Sequence, residues 1–294
     1  ALEKIIRWGV RFLDDVIEIN NYPLPQIREM TLGNRKIGLG IMGFADALIR
    51  MGIPYTSQKA IDAASEIMRF FRKASLKASR DLAEERGVFP NYDRSVYARG
   101  SLPLRNATVN TIAPTGTISI IAGCSSGIEP LFALSFVRNV LSGTRLFETH
   151  PLFEMELRRR GLYSKELMAE VGRLGSLQKI PDLPEDLKKV FVTSFDVPPD
   201  VHLKMQAAFQ KHTDNSVSKT INLPEQATVE DVRKIYIKAH ELKCKGITVY
   251  RYGTKKEQVL SFDSRSAGER EADWNFIMAA SEYAGGCPTG LCSF

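Results

Sequence analysis

The segment from Pro114 to Ser119 combines residue types that suit the binding of a phosphate group. It follows an apolar stretch rich in β-branched residues and places small and hydroxyl side chains in one turn, which opens a second apolar segment. If a helix begins here, the backbone N–H groups of residues 116 to 119 lack partners within the helix, and the helix dipole adds positive potential. A bound anion would accept hydrogen bonds from these N–H groups and would be stabilised by the positive potential. The predicted phosphate-binding residues are Pro114, Thr115, Gly116, Thr117, Ile118 and Ser119.

The same segment could be an ordinary connection, because a strand, a turn with proline and glycine, and a new element occur in any α/β protein. Its surroundings favour the phosphate site, since no charged residue occurs from Asn106 to Gly127. That absence predicts a buried loop, and the backbone groups of buried loops need partners.

The cysteines offer a second chemistry, which is thiol–disulfide exchange. The chain has 4 cysteines in 294 residues, too few for a disulfide framework. Only Cys287 and Cys292 are close in sequence, and they predict a redox pair. A chance pair or a metal site is the alternative, but two thiolates without nearby histidines make a poor zinc site, so no metal is predicted. Cys124 and Cys244 are interpreted as small buried residues.

Composition indicates a globular protein with one large domain or two small ones, because 44% of the residues are hydrophobic and 25% are charged. The formal net charge of +6 is spread along the chain, which favours anionic small molecules over nucleic acid as ligands. No stretch approaches the roughly 20 consecutive apolar residues of a membrane span. These features predict a cytoplasmic enzyme without membrane or direct nucleic-acid contacts.

The N-terminal third is predicted to consist of scaffold helices. Apolar residues at spacings of three and four predict one helix from residue 1 to about 20, ended by Pro23, with a connector after it. A short apolar helix is expected over Phe44 to Met51. Ser57 is predicted to cap a long helix that runs to about Arg86.

The middle of the chain is expected to contain short buried strands and outer helices. One strand is predicted over residues 108 to 113, just ahead of the phosphate loop, and another over 131 to 140. Residues 144 to 190 are polar, charged and helical in pattern, with prolines as breaks, so we expect them on the outside.

The clearest unit follows and predicts the α/β class. A strand over Ser216 to Leu223 precedes a helix that Thr228 caps, with Asp231 three residues on, and residues 247 to 252 form a second strand. This order makes a parallel βαβ unit with a right-handed crossover. After residue 253 the apolar pattern gives way to charged residues. We therefore predict a folded domain over 1–253 and a flexible tail over 254–294.

The chain resembles the C-terminal part of the catalytic subunit of ribonucleotide reductase, closest to the adenosylcobalamin-dependent class. The resemblance covers nearly the whole chain. It implies the second half of a ten-stranded α/β barrel with helices packed outside, and it assigns the 114–119 loop to the substrate's diphosphate. The segments that carry it are RKIGLGIMGF (35–44), RNATVNTIAPTGTIS (105–119), GCSSGIEP (123–130), TDNSVSKTIN (213–222) and KGITVYRYG (245–253).

The resemblance implies a reaction in which hydrogen replaces the 2′-hydroxyl of a ribonucleotide, expected to be a diphosphate. In this family a cysteine thiyl radical removes the 3′-hydrogen, and two further cysteines supply electrons. The radical cysteine lies upstream of the region seen here, and this sequence has no Asn-Pro-Cys-Gly-Glu-like motif. The chain alone is therefore expected to be inactive.

Electron supply is the role that the resemblance gives to Cys287 and Cys292, with thioredoxin or glutaredoxin as the donor. A flexible tail of about 40 residues would reach roughly 35 Å, enough to move between an active site and the surface. The upstream half of the reductase is the other expected partner, in cis or as a separate chain. We expect the complete enzyme to be a homodimer.

Adenosylcobalamin (vitamin B12) is the cofactor that the resemblance implies. Reductases that receive their radical from an iron or manganese subunit carry two stacked tyrosines where this chain has Tyr250 and Arg251, and arginine cannot be oxidised in that way. Two alternatives stay open: a large-subunit fragment of such a partner-dependent (class I) reductase, and a nucleotide-binding subunit without catalysis.

Overall fold

The computed structural model describes residues 1–139, 145–253, 260–261 and 276–278. Helices and strands are mixed along the chain, which confirms the α/β class. The helices are α1 (Leu2–Ile19), α2 (Pro25–Asn34), α3 (Phe44–Arg50), α4 (Gln58–Arg86), α5 (Val96–Arg99), α6 (Ile118–Ala122), α7 (Pro151–Arg159), α8 (Lys165–Leu174), α9 (Glu185–Val190), α10 (Pro199–Gln210) and α11 (Val229–Glu241). The strands are β1 (Ser135–Asn139), β2 (Arg145–Thr149), β3 (Thr220–Leu223), β4 (Thr248–Arg251), β5 (Leu260–Ser261) and β6 (Phe276–Met278).

The N-terminal helices follow the sequence prediction with one exception. α1 and α3 lie where apolar spacing predicts them, and the Ser57 hydroxyl accepts a hydrogen bond from Ala60 N–H at the start of α4. The predicted connector after α1 is wrong, because α2 begins at Pro25. Proline is favourable at the first helical position, where its missing N–H would have no partner anyway. A proline-rich stretch here starts a helix as well as ending one.

The segments that lead into the predicted phosphate loop pair in parallel. Single bridges join Leu39 to Asn110 and Ile112 to Val217, and β3 pairs with β4 over its whole length. Parallel pairing with helices as connections is the arrangement expected of a barrel wall. The array runs, in spatial order, through residues 37–39, 108–112, 217–223 and 248–251.

The strand predicted over 108–113 is present as two isolated bridges instead of a continuous ladder. A side chain takes over part of the ladder's hydrogen bonding: the Asn215 amide donates to the carbonyl oxygen of Asn110 at 2.9 Å and to that of Ile37 at 3.2 Å. One residue thereby joins neighbouring segments of the array. Strand propensity alone does not reveal that a side chain replaces part of the backbone hydrogen bonding.

Gly40 allows the first two segments of the array to approach closely. A Cβ atom at this position would lie 2.1 Å from the carbonyl oxygen of Thr111, far inside van der Waals contact. Because the obstacle is backbone, it cannot rotate away. Any other residue at position 40 would push the two segments apart.

The region from 144 to 190, expected on the outside, builds a core of its own. α7, α8 and α9 surround buried apolar side chains that include Phe153 and Phe191, whose ring centroids lie 5.2 Å apart. β1 and β2 form an antiparallel hairpin with Ser135 opposite Thr149. The strand predicted from residue 131 therefore begins later, at Ser135.

The predicted βαβ unit is confirmed. β3 and β4 are parallel, with Thr220 opposite Thr248, and Thr228 forms a capping box with Asp231 at the start of α11. Beyond it, β5 pairs antiparallel with β1 and β6 pairs parallel with β2, so two short pieces of the predicted tail belong to a sheet. Among the helices described, none has the length and apolar character that crossing a membrane requires.

A buried ionic cluster ties α1 to the rest of the fold. Asp14 is fully buried, and its Oδ1 accepts hydrogen bonds from Arg35 Nε at 2.9 Å and Nη2 at 2.8 Å. Arg86 and Arg105 reach its Oδ2 at 3.2 and 3.3 Å, and the Asn106 amide donates to Oδ1 at 3.0 Å. Burial by itself raises the pKa of Asp14, but the hydrogen bonds and charge of Arg35, together with Arg105 and Asn106, outweigh it and lower the pKa. The carboxylate stays ionised.

Candidate functional site

The predicted phosphate-binding loop forms a left-handed turn followed by one short helix. Thr115 has a φ of 55°, which is uncommon for a residue other than glycine, and α6 begins at Ile118. Within the described part of the chain, the N–H groups of Gly116, Thr117 and Ile118 donate no hydrogen bond, whereas Ser119 N–H donates to Thr115 O at 3.0 Å. Three of the four backbone donors predicted to be free are therefore available to a ligand.

The loop is exposed, which corrects the prediction of a buried loop. Of the predicted site residues only Ser119 is buried, and α6 leaves Ile118 54% and Ile121 73% exposed. Because α6 is so short, it turns one side chain inward while its isoleucines point outward. The uncharged stretch is thus an open apolar surface around free N–H groups. A Cβ atom on Gly116 would meet no atom within 4 Å, so the backbone there is accessible.

A return turn, residues 124–129, closes the loop from behind. Thr115 Oγ1 accepts a hydrogen bond from Gly127 N–H at 2.7 Å, and Cys124 N–H donates to Ser119 O at 3.0 Å. The hydroxyl oxygens of Ser119 and Ser126 lie 2.9 Å apart. The Thr115 hydroxyl therefore fixes the turn, and the groups left for a ligand are backbone donors.

The return turn also caps α3, which lies 79 residues earlier in the chain. Gly43, the N-cap residue of α3, offers no side-chain acceptor. Ser125 supplies one: its Oγ accepts from Asp46 N–H at 3.3 Å, and Asp46 Oδ2 accepts from Ser125 N–H at 2.7 Å. This exchange is that of a capping box, made here between two distant segments. His150 Nε2 lies 3.0 Å from the other carboxylate oxygen of Asp46.

Asp46 is an ionised group at this junction. Burial alone would raise its pKa, but the hydrogen bonds from His150 and Ser125 and the charges of His150 and Arg50 outweigh burial and lower the pKa. Neither Asp46 nor His150 is predicted as a site residue from the sequence. The available signal is an acidic residue in the first turn of a helix whose N-cap is glycine, but the partner is too distant in sequence to be identified.

The far end of the return turn is fixed to β3. Glu129 Oε1 accepts from Thr220 N–H at 2.6 Å, and its Oε2 pairs with Lys219 Nζ. The Lys219 side chain is fully buried; burial lowers its pKa, and the charge of Glu129 opposes this. Nearby, the Tyr55 hydroxyl donates to Ile128 O at 2.6 Å. The return turn is therefore held at both ends by buried or half-buried polar contacts.

His202 is a buried neutral imidazole near this second anchor. Its Nε2 lies 3.1 Å from the carbonyl oxygen of Ser194, and in the residues that the structure describes its Nδ1 has no partner. Burial and the positive charge of Lys219 lower the pKa of His202 to about 3, while the hydrogen bond to Ser194 opposes the shift. The imidazole is therefore uncharged at neutral pH and donates its Nε2–H to Ser194.

His202 should make the fold lose stability as the pH falls below about 6.5. The unfolded chain binds a proton here near the ordinary pKa of about 6.5, whereas the folded protein binds it only near 3. Between pH 6.5 and pH 5 the unfolding free energy should fall by about 2 kcal/mol through this group. Urea unfolding at both pH values should show a smaller loss in His202→Gln than in the wild type. Exposed His240→Gln is the matched control, and equal losses in all three proteins would contradict the assignment.

The cysteines within the described residues carry no sign of reactivity. Cys124 and Cys244 are free thiols and half-buried, which corrects the expectation that both are buried. Burial raises the pKa of each, and the charge of Asp46 raises that of Cys124 further, so the thiolate is disfavoured. The predicted redox pair, Cys287 and Cys292, lies outside the described residues. No cluster of three or more His, Cys, Asp or Glu in the described part could hold a metal ion.

Comparison with known families agrees with the parallel array. The chain matches the family described as ribonucleotide reductase, barrel domain, over residues 1–104 and 101–250. Among solved structures, the alpha subunit of the Actinobacillus ureae class Id ribonucleotide reductase is similar with a TM-score of 0.72 at 25% identity. That similarity covers 86% of this chain and 46% of the other.

Two relatives are named vitamin B12-dependent ribonucleoside-diphosphate reductase. The protein of Thermoplasma acidophilum is 47% identical over 99% of this chain and 39% of its own length, and that of Mycobacterium tuberculosis is 47% identical over 100% and 40%. A ribonucleoside-diphosphate reductase subunit alpha of Chlamydia pneumoniae is 32% identical over 76% of this chain and 25% of its own length. The chain spans about two fifths of the length of the two B12-dependent relatives.

Proposed function

The chain belongs to the ribonucleotide reductase family, and from that premise we propose that it takes part in reducing ribonucleoside diphosphates to 2′-deoxyribonucleotides. The observation that carries the proposal is 47% identity along the whole chain to proteins named for this reaction. Because the chain spans about two fifths of those relatives, it supplies one part of the active site. The remaining part, in cis or as a separate chain, completes it.

In this proposal the 114–119 loop binds the diphosphate of the substrate. The free N–H groups of Gly116, Thr117 and Ile118 are three adjacent backbone donors on an exposed turn. Adjacent backbone donors of this kind bind phosphate oxygens without a side-chain charge.

The reaction divides between this chain and the rest of the enzyme. A cysteine thiyl radical removes the 3′-hydrogen of the ribose, the 2′-hydroxyl leaves as water, and two cysteine thiols provide two electrons and become a disulfide. The radical cysteine belongs to the remaining part. This chain holds the substrate in register through its phosphates, so that the ribose lies at a fixed distance from the loop. Fixing the substrate in this way supplies much of the rate enhancement that positioning can give.

Similarity to two relatives named vitamin B12-dependent supports adenosylcobalamin as the cofactor. Arg251 ends β4 next to Tyr250, and a guanidinium cannot carry the oxidising hole that a partner metal subunit would deliver along stacked tyrosines. The cofactor brings its own cobalt, so a protein cluster of metal ligands is not required. When bound, adenosylcobalamin supplies the radical-forming chemistry. The class I alternative is less well supported, because the relative named subunit alpha reaches 32% identity over 76% of the chain, against 47% over nearly all of it.

We assign Cys287 and Cys292 to the relay that returns electrons to the active-site disulfide, with thioredoxin or glutaredoxin as the donor. A pair of thiols five positions apart can form the mixed disulfides that exchange requires. We place the enzyme in the cytoplasm, where such donors keep thiols reduced, and expect the complete reductase to be a homodimer.

Gly116→Leu tests the phosphate assignment. The leucine side chain would lie over the free N–H groups, and we expect the KM for cytidine diphosphate in the complete reductase to rise at least about tenfold, because hydrogen bonds to a charged group are lost. The fold should tolerate the change, since a Cβ there meets no atom within 4 Å. Gly246→Leu is the matched control, because that glycine also has open space around it. An unchanged KM in Gly116→Leu would remove the loop from the binding site.

Omission of adenosylcobalamin tests the class. We expect the complete reductase to reduce cytidine diphosphate only when adenosylcobalamin is added, since no other source of a radical is proposed. Turnover is measured as deoxycytidine diphosphate formed with thioredoxin as the donor. Activity without cobalamin, driven by an added iron or manganese subunit, would favour the partner-dependent alternative.

A further inference from the structure

We propose that Asp46, Ser125 and His150 are positioning residues that hold the phosphate-binding loop in the shape its ligand needs. The inference rests on the proposed function of that loop. None of the three side chains hydrogen-bonds to the described N–H groups offered to the ligand, so they act through the return turn.

The loop cannot take its order from packing. It is exposed apart from half-buried Thr115 and buried Ser119, α6 is too short to be stable alone, and no atom lies within 4 Å of a Cβ built on Gly116. An exposed segment with few apolar contacts opens easily, and a mobile loop must lose conformational entropy when its ligand binds. The free donors can stay aligned only if hydrogen bonds hold the turn behind them.

A continuous series of contacts joins Asp46 to the loop. Asp46 and Ser125 exchange two hydrogen bonds, at 2.7 and 3.3 Å, and Ser125 O accepts from Gly43 N–H at 2.8 Å. The two residues after Ser125 then contact the loop: Ser126 Oγ lies 2.9 Å from Ser119 Oγ, and Gly127 N–H donates to Thr115 Oγ1 at 2.7 Å. Movement of the return turn away from α3 would break these contacts.

His150 brings in a third element. It is the N-cap residue of α7, and its Nε2 lies 3.0 Å from Oδ1, the second carboxylate oxygen of Asp46. The carboxylate is thus fixed from both sides and cannot rotate away from Ser125. Ionised acceptors make hydrogen bonds about twice as strong as neutral ones, so a carboxylate suits this junction better than an amide or a hydroxyl.

The test compares Asp46→Ala and Ser125→Ala with the wild type in the complete reductase, using cytidine diphosphate as the probe. We expect the KM to rise about tenfold, with kcat changed less than about twofold, because loosening the loop weakens substrate binding and leaves the chemical step intact. Asp46→Asn, which keeps one acceptor oxygen for Ser125 N–H, should restore most of the affinity. Ser125→Ala removes a single hydroxyl and serves if Asp46→Ala does not fold. Exposed Asp200→Ala is the control.

A second readout does not depend on the substrate. Amide hydrogen exchange of residues 113–127 should be about tenfold faster in Asp46→Ala and Ser125→Ala, since the N–H groups of Ser119, Cys124 and Gly127 lose protection. Unchanged exchange in both variants would overturn the proposal, whatever happens to activity. Faster exchange with an unchanged KM would support the anchor and overturn the assignment of the diphosphate to this loop. The two ideas can therefore fail separately.

Discussion

Replacing Arg35 with methionine is expected to lower the free energy of unfolding by about 3 kcal/mol. The substitution removes the guanidinium that bonds to the fully buried carboxylate of Asp14 at 2.8 and 2.9 Å, and an uncompensated buried charge is strongly destabilising. The loss should lie at the lower end of the usual range, because Arg86 and Arg105 still reach the other oxygen. Urea unfolding followed by circular dichroism measures it.

Lys36→Met is the matched control, since Lys36 is the neighbouring cation and is exposed. A loss in Arg35→Met no larger than in Lys36→Met would contradict the role of the cluster. The pH dependence gives a second signature. The lowered pKa of Asp14 contributes stability that is full above about pH 4, the unfolded value, and is lost as the pH falls toward the folded value. In Arg35→Met the folded pKa of Asp14 should rise toward the unfolded value, so the stability lost below about pH 4 should be smaller than in the wild type.

Replacing Cys287 or Cys292 with serine is expected to abolish repeated turnover with thioredoxin. The proposed relay transfers two electrons: the dithiol of the pair reduces the active-site disulfide, becomes a disulfide itself, and is reduced by the donor's dithiol. One remaining thiol can form a mixed disulfide but cannot resolve it. Steady-state activity should fall below about 1% of wild type. A single turnover by pre-reduced enzyme should be unchanged, as rapid-quench measurement of one equivalent of product would show.

Cys244→Ser is the control for the relay, because that thiol is half-buried, has a raised pKa and lies outside it. Dithiothreitol, which can reach the active-site disulfide directly, should restore turnover to the tail variants. Full multiple-turnover activity of Cys287→Ser with thioredoxin would refute the role of the pair.

Local chemistry explains which parts of the fold the sequence could predict. The capping box of Thr228 and Asp231 and the cap at Ser57 depend on residues three positions apart, so they are readable from the sequence. The parallel pairing of β3 with β4 follows from a strand, a helix and a strand in succession. α2 is not predicted from the sequence, because proline can end a helix or begin one and the spacing of Pro23 and Pro25 does not distinguish the two.

Long-range chemistry explains the rest. The contact between Asp46 and Ser125 spans 79 residues, and that between Asp14 and Asn106 spans 92. Neither pair has a spacing rule, because the partners meet only after the array has formed. The exposure of the phosphate loop was mispredicted for a related reason. An uncharged stretch indicates an apolar segment, and only the fold decides whether that segment is buried or exposed to solvent.

The free donors of the loop at Gly116, Thr117 and Ile118 belong to the main chain. A side-chain exchange can obstruct them but cannot delete one; only proline, which lacks the N–H, can do so. A pocket built in this way contains no titratable group of its own. The direct contacts of the loop with an anion should therefore change with pH only through the ionisation of the ligand, and any further pH dependence of binding would have to come from the Asp46 junction behind the turn.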